Sequence, residues 1–421
     1  MQGLRSIRML LFLGLLITFN VWAVTPGLVV DQLAELTPSN STPQDWFGIS
    51  IAISGDTVVV GAFDANIEPY GTVYVYVKPD GGWANMTEVA KLTSSDNGDG
   101  FGTSVAISGN TVVVGAANTS NFLAPAATPG AAYVFVRPNN GWHDMTETAK
   151  LTASDGQAGD AFGDSVGISG DTIAVGAFFA PDQSGNSFAG KAYAFVRPGG
   201  GWTGSLHETA KLTASDSQLL NYMGASVAIA GNTIVAGSWG HNNFQGAAYV
   251  FSMPQGGWAD MTQTAQLTAS DGKAGSNLGF SAAISGNTVI LGSPGASHFK
   301  GQAYVYDVPS GIWSNMTETA KLRASNATEG DSFGQSASIN GNVVVIGAPG
   351  AVVGTKQGQG AAYIFQKPPT GWVNMSRKNE LTASDGVAND NFGISVALRN
   401  KTIVVGSIGN SKPGTAYVFG P

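Results

Sequence analysis

One word recurs along this chain and limits what it can fold into. Phe-Gly, or Met-Gly or Leu-Gly in its place, stands at 47–48, 101–102, 162–163, 223–224, 278–279, 333–334 and 392–393, with glycine spacings of 54, 61, 61, 55, 55 and 59 residues. Self-similarity at a period of this size marks a solenoid or a propeller blade rather than a string of independent domains. Within a unit, four short segments alternate or run apolar in the manner of strands: 104–108, 111–115, 132–138 and 148–154 in the second unit. Valine, tyrosine and phenylalanine dominate them, and none sustains a helical period, so the chain reads as all-β.

Punctuation between the first two segments is equally regular. Gly55-Asp56, Gly109-Asn110, Gly170-Asp171, Gly231-Asn232, Gly286-Asn287 and Gly341-Asn342 fit two-residue hairpins, with glycine supplying the positive φ of a type II′ turn. The seventh unit has Asn400-Lys401, where asparagine takes the same conformation at modest cost. Four antiparallel strands repeated seven times predict a seven-bladed β-propeller. A third strand occurs in every unit, the last running to Pro421, but no fourth follows it. A copy of the fourth strand, 33–39, precedes the first Phe-Gly instead. The expected ring therefore closes by lending the N-terminal strand to the last blade, which removes an open sheet edge.

Composition excludes several function classes. A net charge of -8 with no basic run speaks against an electrostatic nucleic-acid binder. The absence of cysteine rules out disulfides, thiolate metal sites and a cysteine nucleophile. Arg5, Arg8, an apolar run over 9–17 and Ala23 resemble an export signal cleaved after residue 23, and the run is too short to span a bilayer. The expected organisation is a signal peptide over 1–23 and one propeller over 24–421, with no membrane span after cleavage. The expected location is secreted or cell-surface, or the periplasm in a Gram-negative source.

These words resemble the FG-GAP repeat family, whose best-known members form the propeller head of integrin α chains. Phe333-Gly334 followed by Gly347-Ala348-Pro349 matches the family's pattern, and Gly292-Ser293-Pro294 nearly does. The resemblance implies a seven-bladed propeller serving adhesion or recognition. In integrin-like members calcium sits in a carboxylate-rich loop between the first two strands; here that loop has two residues and cannot supply six to eight oxygens. The inserted metal-dependent adhesion domain, the stalk and the tail of such members have no counterpart in this sequence. No cofactor is expected, and calcium least of all in the hairpins.

Acidic residues recur in the loops joining successive units: Asp96 and Asp99, Asp155 and Asp160, Asp385 and Asp390. These would be the metal candidates, against a reading in which they cap turns. Trp83, Trp142, Trp202, Trp258, Trp313 and Trp372 recur after glycine in the third-to-fourth hairpins, which points to packing at the rim. Loops between the second and third strands (62–71, 116–130, 177–190, 238–246, 293–301, 348–360 and 407–414) share little beyond a closing glycine. A regular scaffold with one irregular face puts binding residues there. The ligand-binding candidates are Tyr70, Phe122, Phe179, Trp239, His241, Phe299 and Lys356, with Phe188, Phe244 and His298 in the same loops.

Catalytic patterns are missing from the sequence. His143, His207, His241 and His298 lack metal-ligand spacing, and there is no nucleophile elbow. Asn40, Asn85, Asn118, Asn315, Asn326, Asn374 and Asn400 begin glycosylation sequons, which carry glycans only in a eukaryotic source. The expectation is a non-enzymatic module that presents loops to an extracellular protein or carbohydrate. The rivals are a polysaccharide lyase or hydrolase with its site at the channel mouth and a purely structural envelope or matrix component.

Overall fold

The computed structural model describes residues 30–421 apart from 41, 44, 64–70, 97–99, 118–127, 183, 378–379 and 410–412. The export signal expected over 1–23 lies outside them. Seven sheets are arranged as blades of a propeller. In blade 1 the strands run from the axis outward as Phe47–Ser54, Thr57–Ala62, Thr72–Val77 and Ala90–Thr93. The second strand, TVVVGA, is buried along its whole length, because blades stack face to face and leave it no solvent side. Gly55 turns the hairpin at φ +58° while Asp56 stays at negative φ, as a type II′ turn requires, and Asn400 takes +56° in blade 7.

The ring closes as the strand count demands. Asp31–Leu36 pairs antiparallel with Thr415–Gly420, Asp31 opposite Gly420 and Leu36 opposite Ala416. It completes the blade begun by Ser395–Arg399 and Thr402–Ser407. The strand starts and stops earlier than the 33–39 expected, since Pro38 has no N–H to continue the ladder.

Contacts between blades explain the recurring words. Ser50, Ser104, Ser165, Ser226, Ser281, Ser336 and Ser395 each donate a hydroxyl to the carbonyl of the next blade's Phe-Gly glycine, at 2.6–2.9 Å; the last bond runs from Ser395 back to Gly48. The glycine one residue before the end of each second strand faces that carbonyl too. A Cβ on Gly347 would lie 1.9 Å from Gly393 O, and one on Gly406 2.1 Å from Gly48 O. The two glycine words thus meet across blades as well as within one, where Gly334 N–H donates to Gly347 O at 3.0 Å and Gly393 N–H to Gly406 O at 2.9 Å. The Phe side chains fill the same gaps: Phe101 is fully buried, 5.5 Å from Tyr133 and 6.0 Å from Phe135, with Val59, Val73 and Leu92 of the preceding blade around it. Five of the six rim tryptophans, Trp142 to Trp372, are buried in these layers, as large amphipathic rings allow.

A feature absent from the sequence reading lies at the rim. Met145–Thr146 leaves its own blade and pairs in parallel with the outer strand Ala90–Thr93 of the blade before. Gly204–His207, Met261–Thr262, Met316–Thr317 and Met375–Arg377 do the same, and Met86 bridges to Leu36. Beside five of the six latches a side-chain oxygen accepts a backbone N–H of the outer strand at 2.8 Å: Asn85 from Glu35, Asp144 from Lys91, Asp260 from Lys211, Asn315 from Gln266 and Asn374 from Lys321. Six outer edges are covered in this way, while the sheet of Ser336–Asn340 ends at Glu380–Leu381 with no such latch among the described residues.

Candidate functional site

The face where second-to-third loops meet inter-blade loops is set by backbone strain. The residue before each Phe-Gly word must swing the chain onto the innermost strand, and all seven do so in the left-handed region: Trp46 at φ 52°, Gly100 at 78°, Ala161 at 58°, Tyr222 at 55°, Asn277 at 58°, Ser332 at 56° and Asn391 at 56°. Glycine and asparagine suit this slot; a tryptophan or tyrosine there costs about 1–2 kcal/mol. Two neighbouring loops go further. Asn242, Asn243 and Phe244 form a left-handed turn at φ/ψ of 49/61° and 57/47° and then φ 62°; Ser297, His298 and Phe299 repeat it at 55/44°, 61/53° and 60°. L-residues visit this region singly as a rule, and runs of three without glycine are strained unless the surrounding structure holds them.

Aromatic side chains gather on these loops. Phe178 packs on Phe179 at 4.0 Å between centroids, and Phe179 meets Phe188 edge-on at 5.1 Å and Tyr222 at 5.9 Å. Tyr222 stacks on Trp239 at 4.4 Å and 13°; Trp239 continues to Phe244 at 5.6 Å and Phe280 at 6.4 Å. The result is a wall across blades 3, 4 and 5. Phe178 is its buried foot, while the others keep part of their surface outward and Phe188 is 40% exposed. Elsewhere on this face Trp46 is exposed, with Phe63 edge-on at 6.5 Å.

The FG-GAP repeat pattern matches seven times, at 30–76, 86–135, 145–195, 206–251, 261–306, 316–365 and 375–419. The chain belongs to the FG-GAP repeat family. Each FG-GAP match starts at the latch or outer strand of one blade and ends in the third strand of the next, so the sequence repeat straddles two blades. No curated protein matches the chain. A propeller of this family is a ligand-binding or structural module. No helix among the described residues is long and apolar enough to cross a membrane.

Of the binding candidates, Phe179 and Trp239 are brought together in the wall, joined by Tyr222. Phe299 stands in the next loop, 56% exposed. His241 is turned away to Asp216, Nε2 to Oδ2 3.1 Å, where Gln266 and the Tyr249 hydroxyl also bond the same carboxylate. Lys356 donates to the Gly386 carbonyl in the adjoining loop. Tyr70 and Phe122 lie outside the described residues. Tyr222 escaped the sequence reading because it sits in an inter-blade loop, as do Phe280 and Trp46. The signal that finds Tyr222 and Trp46 is the mismatch between an aromatic residue and a slot that blades 2, 5, 6 and 7 fill with Gly, Asn or Ser.

The inter-blade carboxylates fall into two sets. Asp96, Asp155, Asp216, Asp271 and Asp385 each accept the hydroxyl of a buried tyrosine in the next blade, at 2.7–3.1 Å. Lysines join three of them: Lys150 at Asp96, Lys191 and Lys211 at Asp155, and Lys321 at Asp271. His241 takes the lysine's part at Asp216. Burial works against ionisation of Asp96, Asp155 and Asp271, but hydrogen bonds and the ammonium charge outweigh it and hold each below the ordinary carboxylate value. The second set caps turns: Asp45, Asp160, Asp331 and Asp390 accept backbone N–H groups three residues back, at 2.7–2.8 Å. Asp99 lies outside the described residues. Among the described residues no three His, Asp or Glu converge as metal ligands do.

Asp164 is a solitary acid on the innermost strand of blade 3. It is half-buried, and protein surrounds its carboxyl closely enough that desolvation pushes its pKa up to about 7. The axial cavity, about 210 Å³, is lined by Ile51, Ile53, Ile107, Ile168, Ile229 and Leu398 among others. Six of the sequon asparagines are exposed, and Asn118 lies outside the described residues. Asn85, Asn315 and Asn374 spend their side-chain oxygens on the latches, while Asn40 and Asn326 accept tyrosine hydroxyls.

Proposed function

We propose that this chain is an exported, non-catalytic binding module that engages an extracellular protein or carbohydrate through the loops of blades 3 to 5. One observation supports the reading above the rest. On a disc whose other parts repeat seven times, the aromatic wall from Phe178 to Phe280 occurs, among the described residues, in one sector, on backbone that carries strain. Aromatic anchors give large contact area at small entropic cost, and strain concentrates where it serves function. The aliphatic lining of the axial cavity favours binding over catalysis, because a hydrolase or lyase needs polar groups converging on the reacting bond. The likeness of the leader to an export signal and the family's usual setting favour the outside of the cell.

The test compares three forms of the full chain on immobilised extracellular proteins and glycans: the parent, Tyr222→Asn with Trp239→Ala, and Asn232→Ser in a hairpin on the opposite face. Binding by the parent and by Asn232→Ser, lost in the double variant, is the expected result. No retained ligand removes the reading in favour of a structural component, and retention indifferent to the wall removes blades 3 to 5 as the binding site.

A further inference from the structure

Three successive blades place phenylalanine two residues before the closing glycine of the second-to-third loop: Phe188, Phe244 and Phe299, at φ 57°, 62° and 60°. Blade 6 fills the same position with Gly358 at φ 64°. The backbone task is identical in all four. Each carbonyl accepts an N–H from the next inter-blade loop: Phe188 from Tyr222 at 3.0 Å, Phe244 from Asn277 and Phe299 from Ser332 at 2.9 Å, and Gly358 from Asn391 at 3.0 Å. Gly358 performs it without strain, so no side chain is needed for the fold. Burial does not explain the phenylalanines either, for Phe299 is 56% and Phe188 40% exposed.

What surrounds them is polar and almost uncharged. Asn186 and Ser187 precede the first, Asn242, Asn243 and Gln245 flank the second, and Ser297, His298 and Lys300 flank the third. The loops 238–246 and 293–301 hold no carboxylate, and Asp182 in 177–190 is consumed by its own turn through Ser184 and Asn186. These loops offer a cationic peptide no free carboxylate of their own, Asp216 and Asp271 in the facing inter-blade loops are engaged by His241 and Lys321, and a polyanion meets a protein of net charge -8. Aromatic faces interleaved with amides and hydroxyls suit a ligand with C–H faces and hydroxyl edges.

We propose that Phe188 and Phe244, backed by the Tyr222–Trp239 stack, and Phe299 in the next loop form a three-station arc for a neutral oligosaccharide, one sugar ring against each phenylalanine. This rests on the binding-module reading and adds the ligand class. Equivalent stations on adjacent blades call for a repeating ligand, and a chain of pyranose rings is one.

Calorimetric titration of the full chain with neutral hexasaccharides (β-1,4-glucan, chitin and mannan types) and with an acidic hexuronate tests it. One or more neutral hexamers bind and the hexuronate does not; Phe188→Gly, Phe244→Gly and Phe299→Gly each weaken binding about tenfold. Their Tm stays level or rises, because glycine relieves the left-handed strain. Phe299→Asn, which also tolerates that conformation, repeats the loss of binding. Two outcomes overturn the arc: no neutral hexamer binds the parent, or the glycine variants melt lower while binding as before, which makes the rings local packing. If a protein ligand is held by the parent and lost on Tyr222→Asn with Trp239→Ala while no sugar binds, the module stands and the sugar assignment falls.

Discussion

Gly347 shows how little room the blade interface leaves for one residue. Gly347→Ala places a methyl group 1.9 Å from the Gly393 carbonyl, so two blades must separate for it to fit. The expected cost is about 3 kcal/mol or more, read by chemical denaturation. A loss under ~1 kcal/mol shows that the interface yields and that the glycine is not required by contact. Asp164 tests the opposite kind of residue, one held in an unfavourable state. Its folded pKa of about 7 lies above the ordinary 3.8, so between those values the folded chain keeps a proton that the unfolded chain releases. Stability from this group is full at low pH and falls as pH climbs through that window. Asp164→Asn therefore raises Tm at pH 8 by about 3 °C or more and leaves it unchanged at pH 4. An equal effect at both pH values refutes the desolvated acid.

At the scale of the element, the rim latch carries a sharp expectation. Asn315 holds the backbone N–H of Gln266, a task done by Asp144 and Asp260 in sister blades. Asn315→Ala costs about 1 kcal/mol, while Asn315→Asp stays near the parent; equal losses in both variants mean that the oxygen is not what matters. The latch also marks where sequence reading stops. Strands such as Thr57–Ala62 declare themselves by valine content and their hairpins by glycine, and the count of third and fourth strands determines where Asp31–Leu36 goes. A two-residue strand like Met145–Thr146 is shorter than any period that periodicity can detect, and its partner lies in another repeat. Tyr222 is hidden for a related reason. Its slot is seen to demand positive φ only when seven backbones are compared, and an aromatic residue in a loop otherwise looks ordinary.

For the whole molecule, the decisive contact joins the two ends of the ring. Deleting 31–36 leaves Thr415–Gly420 with an unpaired edge and breaks the bridge from Leu36 to Met86. We expect Tm to fall by at least about 10 °C, with exposed sheet edge detectable as association. Unaltered melting would sink the closure. Because Asp31 faces Gly420 across one ladder, the opening in the circle is a matter of threading and not of architecture. A few linking residues between those ends, with the backbone nicked instead at the Trp202 or Trp313 rim, describe a circular permutant whose break has merely travelled round the disc.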